Sequence, residues 1–242
     1  MPELLTIRCL ADNYAYLLHG GGETVLIDAP EAAPVLEALE ARGWRLDRIL
    51  LTHHHADHIQ AVPELVAKTG ARVGGNRLDA ARLPPLDESF APGDRLSVAG
   101  TPAEILDAPG HTVGHVAIHL PEAGMVFTAD SLMAMGCGRL FEGTPAQMWD
   151  TLTRLAALPE DTLVCSGHDY TRGNGGFALS VEPGNDAVRD RMAHGPVSPA
   201  PLALERATNP FLRVAELRDG LGMRGESDLA VFNRLRAMKD AF

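Results

Sequence analysis

The stretch Thr52-His53-His54-His55-Ala56-Asp57-His58 decides the reading of this chain. It follows at once on an apolar run, Arg48-Ile49-Leu50-Leu51, that reads as a strand. Two-residue alternation at a strand end sends His53 and His55 to one side and His54 to the other. Asp57 and His58 open an amphipathic stretch, Asp57 to Thr69, that reads as a helix. A strand end and a helix start thus bring His53, His55, His58 and Asp57 to one small volume from two directions. Two directions suggest two metal ions. Imidazole with carboxylate suits zinc, iron or manganese better than calcium or magnesium.

Three other places repeat the pattern of an apolar run that stops just short of a donor. Ala103-Glu104-Ile105-Leu106 leads to Pro109-Gly110-His111-Thr112, Gly124-Met125-Val126-Phe127 leads to Asp130, and Thr162-Leu163-Val164-Cys165 leads to Gly167-His168. If these strands share a sheet and a direction, their ends bring His111, Asp130 and His168 to one edge. The economical partition puts His53, His55 and His111 on one ion and Asp57, His58 and His168 on the other. Asp130 lies between them, because a carboxylate has two oxygens and can bridge. A divalent ion lowers the pKa of water from about 15.7 toward about 7, so a nucleophile exists at neutral pH without a basic side chain.

His-x-His-x-Asp-His followed by a later His, an Asp and a final His resembles the metallo-β-lactamase superfamily of dinuclear hydrolases. Within it the chain is most similar to the glyoxalase II branch, the hydroxyacylglutathione hydrolases. The phrases that point to the branch are Gly136-Cys137-Gly138-Arg139-Leu140-Phe141-Glu142-Gly143-Thr144, Gly167-His168-Asp169-Tyr170-Thr171, Glu182-Pro183-Gly184-Asn185 and the C-terminal Arg236-Ala237-Met238-Lys239. The resemblance implies an α/β fold, a four-layer αββα sandwich with a small C-terminal helical domain. Residues 1–168 would then form the catalytic domain and 169–242 the glutathione-binding domain. It also implies two divalent ions, zinc ahead of iron or manganese, with Asp57 and Asp130 as the catalytic carboxylates. The substrate would be S-lactoylglutathione or a related 2-hydroxyacyl thioester, cleaved in the last step of methylglyoxal detoxification. Arg236 and Lys239, three apart in a helical stretch and so on one face, would meet the glycine carboxylate, with Arg139, Phe141 and Tyr170 helping. An iron-dependent persulfide dioxygenase of the same fold, which needs only two His and one carboxylate, is the nearest rival. A metal-binding protein without turnover is the other.

The chain departs from the family pattern in three places. Ile59-Gln60-Ala61 stands where Gly-Gly often follows the first motif, Ala129 where Gly commonly precedes the bridging Asp, and Phe141 where some members carry Tyr. None is a metal ligand. Among the remaining candidates, His115 and His119 fall in a strand-like run and read as supporting or surface residues. Asp28 reads equally as an acceptor for a ligand histidine or as the cap of the next helix.

Lys and Arg number 21 against 32 Asp and Glu, a net charge of −11 that argues against a nucleic-acid ligand. Cys9, Cys137 and Cys165 are scattered and odd in number, so they read as buried apolar residues in a reducing compartment rather than a disulfide framework. No stretch approaches the ~20 apolar residues of a membrane span, and the N-terminus lacks an export signal, so a cytosolic enzyme is expected; a monomer is a separate expectation. Up to about His168, strand runs at Thr24–Asp28, Arg48–Leu51, Val116–Leu120 and Met125–Thr128 alternate with helical ones at Pro30–Arg42, Asp57–Thr69 and Pro145–Leu158. Arg172-Gly173-Asn174-Gly175-Gly176 then reads as a link. Beyond it, Glu182–His194, Pro201–Arg206 and Glu226–Phe242 read as helices.

Overall fold

Residues Glu3–Cys9, Asn13–Gly20 and Glu23–Ile27 form antiparallel strands β1, β2 and β3 in the computed structural model, which describes residues 1–242. Helix α1 (Ala32–Arg42) leads to β4 (Arg48–Leu50). Helices α2 (Ala56–Ile59) and α3 (Val62–Thr69) lead to β5 (Arg72–Asn76), and β6 (Glu88–Phe90) follows. From β3 onward each strand pairs parallel with the next, which completes a six-stranded mixed sheet. Parallel neighbours need a crossover; α1 supplies it from β3 to β4, α2 and α3 from β4 to β5, and a segment with one short 3-10 turn, Arg77–Asp79, from β5 to β6. Leu26, Ile49 and Val73 lie side by side in register and pack into one core with Val35 and Leu39 of α1 and Val62 and Leu65 of α3. Each such side chain contributes about 1.5–3 kcal/mol by leaving water. Because Ile27 sits opposite Leu50, Asp28 and the Thr52–His58 segment leave the sheet at the same edge.

Strands β7 (Arg95–Val98), β8 (Thr101–Asp107), β9 (Val116–Leu120) and β10 (Met125–Ala129) pair antiparallel in chain order. Both β8 and β10 pair with β9, so they run in the same direction and stop at one edge. His111 and Asp130 follow those two ends. Every residue of β9 and β10 is buried, as expected of strands covered on both faces. Tyr16 of β2 meets Phe127 of β10 edge-on at 5.4 Å. These two groups of strands form one compact unit, Met1–Asp107 with Gly114–Thr128.

The second unit comprises Ala108–Val113 and Ala129–Phe242. It holds the hairpin β11 (Leu132–Met133) and β12 (Gly136–Cys137), helix α4 (Pro145–Ala156), and β13 (Leu163–Ser166) paired with β14 (Ala200–Pro201). Helices α5 (Thr171–Val181), α6 (Asp186–His194), α7 (Leu202–Thr208), α8 (Val214–Leu217) and α9 (Asp228–Ala241) complete it. Helix α4 begins with a reciprocal capping box between Thr144 and Gln147. Phe177, Phe211 and Phe232 are fully buried, with ring centroids 6.0 and 5.8 Å apart in succession.

Two expectations about helices need correction. The run Asp57–Thr69 is two helices, because Pro63 has no N–H to give to the carbonyl of Ile59. The Ala61 N–H turns instead to Ala29 O at 3.0 Å. Gln60 and Ala61 both keep right-handed dihedrals, so no glycine is required after the first motif. The link expected at Arg172–Gly176 is the first half of α5. Each glycine costs about 1 kcal/mol in a helix, but a Cβ at Gly175 would lie 2.4 Å from Met192 Sδ. Close packing of α5 against α6 fixes that glycine, not a turn.

The three cysteines are buried and form no disulfide. Burial raises all three thiol pKa values, that of Cys9 to about 12. No helix is long and apolar enough to cross a membrane.

Candidate metal centre

In the first unit the donors are set by hydrogen bonds at the shared sheet edge. Asp28 follows directly on β3 with φ +57°, a conformation that Asp tolerates better than most residues. Its Oδ1 accepts the Thr52 N–H at 2.9 Å, and its Oδ2 accepts the Thr52 hydroxyl at 2.8 Å and lies 2.9 Å from His58 Nδ1. Asp28 is therefore the acceptor of a histidine and not a helix cap; the N-cap position of α1 is Glu31. With its proton on Nδ1, His58 keeps the lone pair on Nε2. The same logic fixes His53. Thr52 has given its one hydroxyl proton to Asp28, so at 3.0 Å its oxygen accepts from His53 Nδ1, and Nε2 of His53 carries the lone pair.

The ring of His53 lies 4.8 Å from that of His55 and 4.2 Å from that of His58. On another side it stacks on His115, at 4.7 Å and 22°. His115 is wholly buried, so it is not a surface residue. His54 turns to Asp79, with Nδ1 3.0 Å from Oδ2, as alternation required. His55 caps the start of α2 in an extended conformation, and Asp57 and His58 occupy its first turn. The amide of Asn13 donates to both the carbonyl and Oδ2 of Asp57, at 3.0 and 3.1 Å. Asn13 is marked by no motif, and Thr52 stands at the head of one without being a candidate donor; only folding brings Asn13 to Asp57 and Thr52 to Asp28.

In the second unit Asp130 stands between two histidines. His111 Nε2 is 3.2 Å from Asp130 Oδ2, and His168 Nε2 is 3.4 Å from Asp130 Oδ1. His111 Nδ1 donates to the carbonyl of Arg139 at 2.8 Å, so neutral His111 presents a lone pair to the carboxylate. Two acceptors at that distance repel unless a cation or proton lies between them. The donor set thus fits a divalent metal with imidazole and carboxylate ligands. Ala129, immediately before Asp130, has φ +41°, which costs a non-glycine residue about 1–2 kcal/mol. The Gly167 N–H holds its carbonyl at 2.9 Å.

Aromatic and basic residues surround this part of the unit. Phe141 meets His111 edge-on at 5.3 Å, and Tyr170 stacks on His168 at 4.7 Å and 9°. Both are exposed, 63 % and 41 %, so a ligand can reach them. Arg139 Nε lies 3.4 Å from Asp240 Oδ1, and Lys239 Nζ donates to Gly173 O at 3.1 Å. Burial, then the charges of Arg236 and Arg139, lowers the pKa of Lys239, with Asp240 opposing. Arg236, read from sequence as a binding base, is buried. Its guanidinium donates to Cys137 O at 3.0 Å and Asp240 Oδ1 at 2.9 Å, and lies 5.0 Å over the ring of Phe211.

Comparison with known proteins agrees with this geometry. Residues 11–168 match the model of the metallo-beta-lactamase superfamily, and residues 169–242 match that of the hydroxyacylglutathione hydrolase C-terminus. The chain is 57% identical to a hydroxyacylglutathione hydrolase of Fuscovulum blasticum, covering 99% of each chain. It is 54% identical to one of Ruegeria pomeroyi, covering 100% of each. Among solved structures, TTHA1623 in a di-iron-bound form aligns with a TM-score of 0.65 at 30% identity, over 87% of this chain and 100% of that one. ETHE1 from Myxococcus xanthus aligns with a TM-score of 0.67 at 26% identity, over 100% of this chain and 99% of that one. With its mixed sheets, flanking helices and C-terminal helical part, the chain has the metallo-β-lactamase fold and belongs to the hydroxyacylglutathione hydrolase family of that superfamily.

Proposed function

We propose that this chain hydrolyses S-(2-hydroxyacyl)glutathione, S-lactoylglutathione first among them, to a 2-hydroxy acid and glutathione in the last step of methylglyoxal detoxification. The observation that carries the reading is the Asp130 carboxylate, which offers one oxygen to each of two imidazoles. In this reading His53, His55 and His111 would hold one divalent ion and Asp57, His58 and His168 a second, with Asp130, which faces His111 and His168, serving both. The solved structure of TTHA1623 is a di-iron-bound form; zinc is the ion proposed here, with iron or manganese as alternatives. Residues 1–168 act as the catalytic domain and 169–242 as the glutathione-binding domain, in a cytosolic monomer.

When bound, the ions supply the activation of water at neutral pH and positive charge for the carbonyl oxygen as it becomes anionic. The rest falls to the chain's own groups. Asp28, Thr52 and the Arg139 carbonyl keep protons on the Nδ1 atoms of His58, His53 and His111, so that each Nε2 remains a ligand. Phe141 and Tyr170 offer exposed ring surface to the thioester, and Arg139 and Lys239 offer positive charge to the glutathione carboxylates. The leaving thiol has an ordinary pKa near ~8.5, so it departs as thiolate without a dedicated general acid.

The testing experiment combines elemental analysis with a thioester panel. About two ions per chain and turnover of glutathione thioesters far above coenzyme A thioesters are expected. One iron per chain, no thioester turnover and oxygen uptake with glutathione persulfide would replace this reading with the dioxygenase one. Recognition is tested separately through Lys239→Ala, because Arg236 is also tied to Cys137. KM for the glutathione thioester should rise about ten- to a hundred-fold with kcat little changed, the value of one charged hydrogen bond of ~1.5–3 kcal/mol. Lys239 is charged below its pKa, and that pKa is lowered. The wild-type KM should therefore begin to rise at a pH below the ordinary lysine range, and the variant's should not. An unchanged KM removes Lys239 from the binding site.

A further inference from the structure

The hairpin β11–β12 is too short to hold itself, since two strands of two residues are unstable alone. Its backbone is instead held by side chains from the helices that follow it. Asn209, just after α7, donates through Nδ2 to Met133 O at 3.2 Å and Gly136 O at 2.9 Å. Asn174 of α5 donates to Ala134 O at 3.0 Å. Glu205 of α7 accepts the Met135 N–H at 3.0 Å, and Arg236 of α9 donates to Cys137 O at 3.0 Å. Thus each residue from Met133 to Cys137 gives one backbone group to a buried side chain. Glu205 is partnered in turn: it pairs with Nη2 of the buried Arg191, whose Nη1 donates to Thr208 Oγ1 at 2.8 Å and whose Nε donates to Pro196 O at 3.4 Å.

The two ends of this hairpin are functional. Asp130 lies two residues before β11, and Arg139, whose carbonyl holds His111 Nδ1, lies two residues after β12. We infer that Asn174, Glu205 and Asn209 are positioning residues for the metal centre: by fixing the hairpin they set the separation of Asp130 and His111. The helical region then orients the metal ligands as well as meeting the substrate. Hydrogen-bonded buried polar networks are rigid; here every hairpin contact of Asn174, Glu205 and Asn209 is made, while Arg236 keeps a buried Nε without a partner. The physical reason for rigidity is that the Asp130 oxygens must face two histidines at once. The inference rests on the proposed ligand roles of Asp130 and His111.

The test compares Asn209→Leu, which removes three donor contacts, and Asn174→Asp, which keeps the shape and removes one. Arg213→Ala is the control. Arg213 ties Glu182 to the Arg206 carbonyl and does not touch the hairpin. Zinc affinity is read by competition with a chromophoric chelator, ligand geometry by the visible spectrum of cobalt-substituted protein, and stability by thermal melting. Both hairpin variants should bind zinc about ten-fold or more weakly, shift the cobalt bands, and lower kcat with KM unchanged. Arg213→Ala should lose stability while keeping wild-type affinity and bands. If Asn209→Leu does not fold, Asn174→Asp decides alone. Wild-type affinity and bands in a folded hairpin variant, or equal metal loss in the control, overturn the inference. A wild-type protein that binds no zinc or cobalt overturns the ligand assignment beneath it.

Discussion

Asp130→Asn is expected to lower kcat by about three powers of ten, or ~4 kcal/mol of barrier, and to leave the protein holding fewer metal ions. Asparagine has nearly the same volume, so packing at this buried position survives. What changes is charge and the number of lone-pair oxygens. The carboxylate turns Oδ2 to His111 and Oδ1 to His168, and an amide replaces one of those oxygens with an N–H donor. That donor can satisfy an imidazole lone pair without any ion. The metal-free variant should therefore melt no lower than metal-free wild type, while the metal-loaded wild type gains stability that the variant cannot match. Differential scanning calorimetry with and without chelator reads both arms. Unchanged kcat and metal content would remove Asp130 from the centre.

Gly138→Ala should be nearly as damaging, although Gly138 donates nothing to a metal. A Cβ there would stand 2.2 Å from the carbonyl oxygen of Asp130 and 2.8 Å from His111 Nδ1. Backbone on one side and an imidazole on the other cannot both yield. Either Asp130 shifts or the bond from His111 to Arg139 O breaks. Overpacking of this kind costs about 1–3 kcal/mol, and disturbing a ligand's orienting partner costs about ten- to a hundred-fold in metal affinity. Chelator competition and kcat on the purified variant should both show the loss. Retention of wild-type zinc affinity and turnover would mean that this loop moves freely and that His111 does not depend on it.

The candidate ligands were legible because each lies a few residues beyond the end of an apolar run. Val116–Leu120 is a strand with the bounds read from sequence, and β3, β4 and β10 lie within a residue of theirs. The groups that orient the ligands were less legible because their partners are distant in sequence. Asn13 meets Asp57 across 44 residues, and Asn209 meets the β11–β12 hairpin across 73 and 76. Thr52 is adjacent to His53, yet its role depends on Asp28 taking its proton first. Gly-rich α5 was misread because local propensity favours a turn and packing against Met192 overrides it. Helical spacing placed Arg236 and Lys239 together, but it carries no information on depth. Arg236 is buried against the Cys137 carbonyl, while Lys239 stays nearer the surface.

The proposed reaction releases glutathione, so the chain works amid thiols and, under oxidative stress, their mixed disulfides. Disulfide exchange requires a thiolate that can be reached. Cys9, Cys137 and Cys165 are all buried, and their pKa values are all raised by that burial. At neutral pH they stay protonated and shielded. The same packing that builds the core therefore keeps the enzyme from exchanging with the disulfide form of the glutathione it releases, and its turnover should hold constant as the ratio of oxidised to reduced glutathione rises.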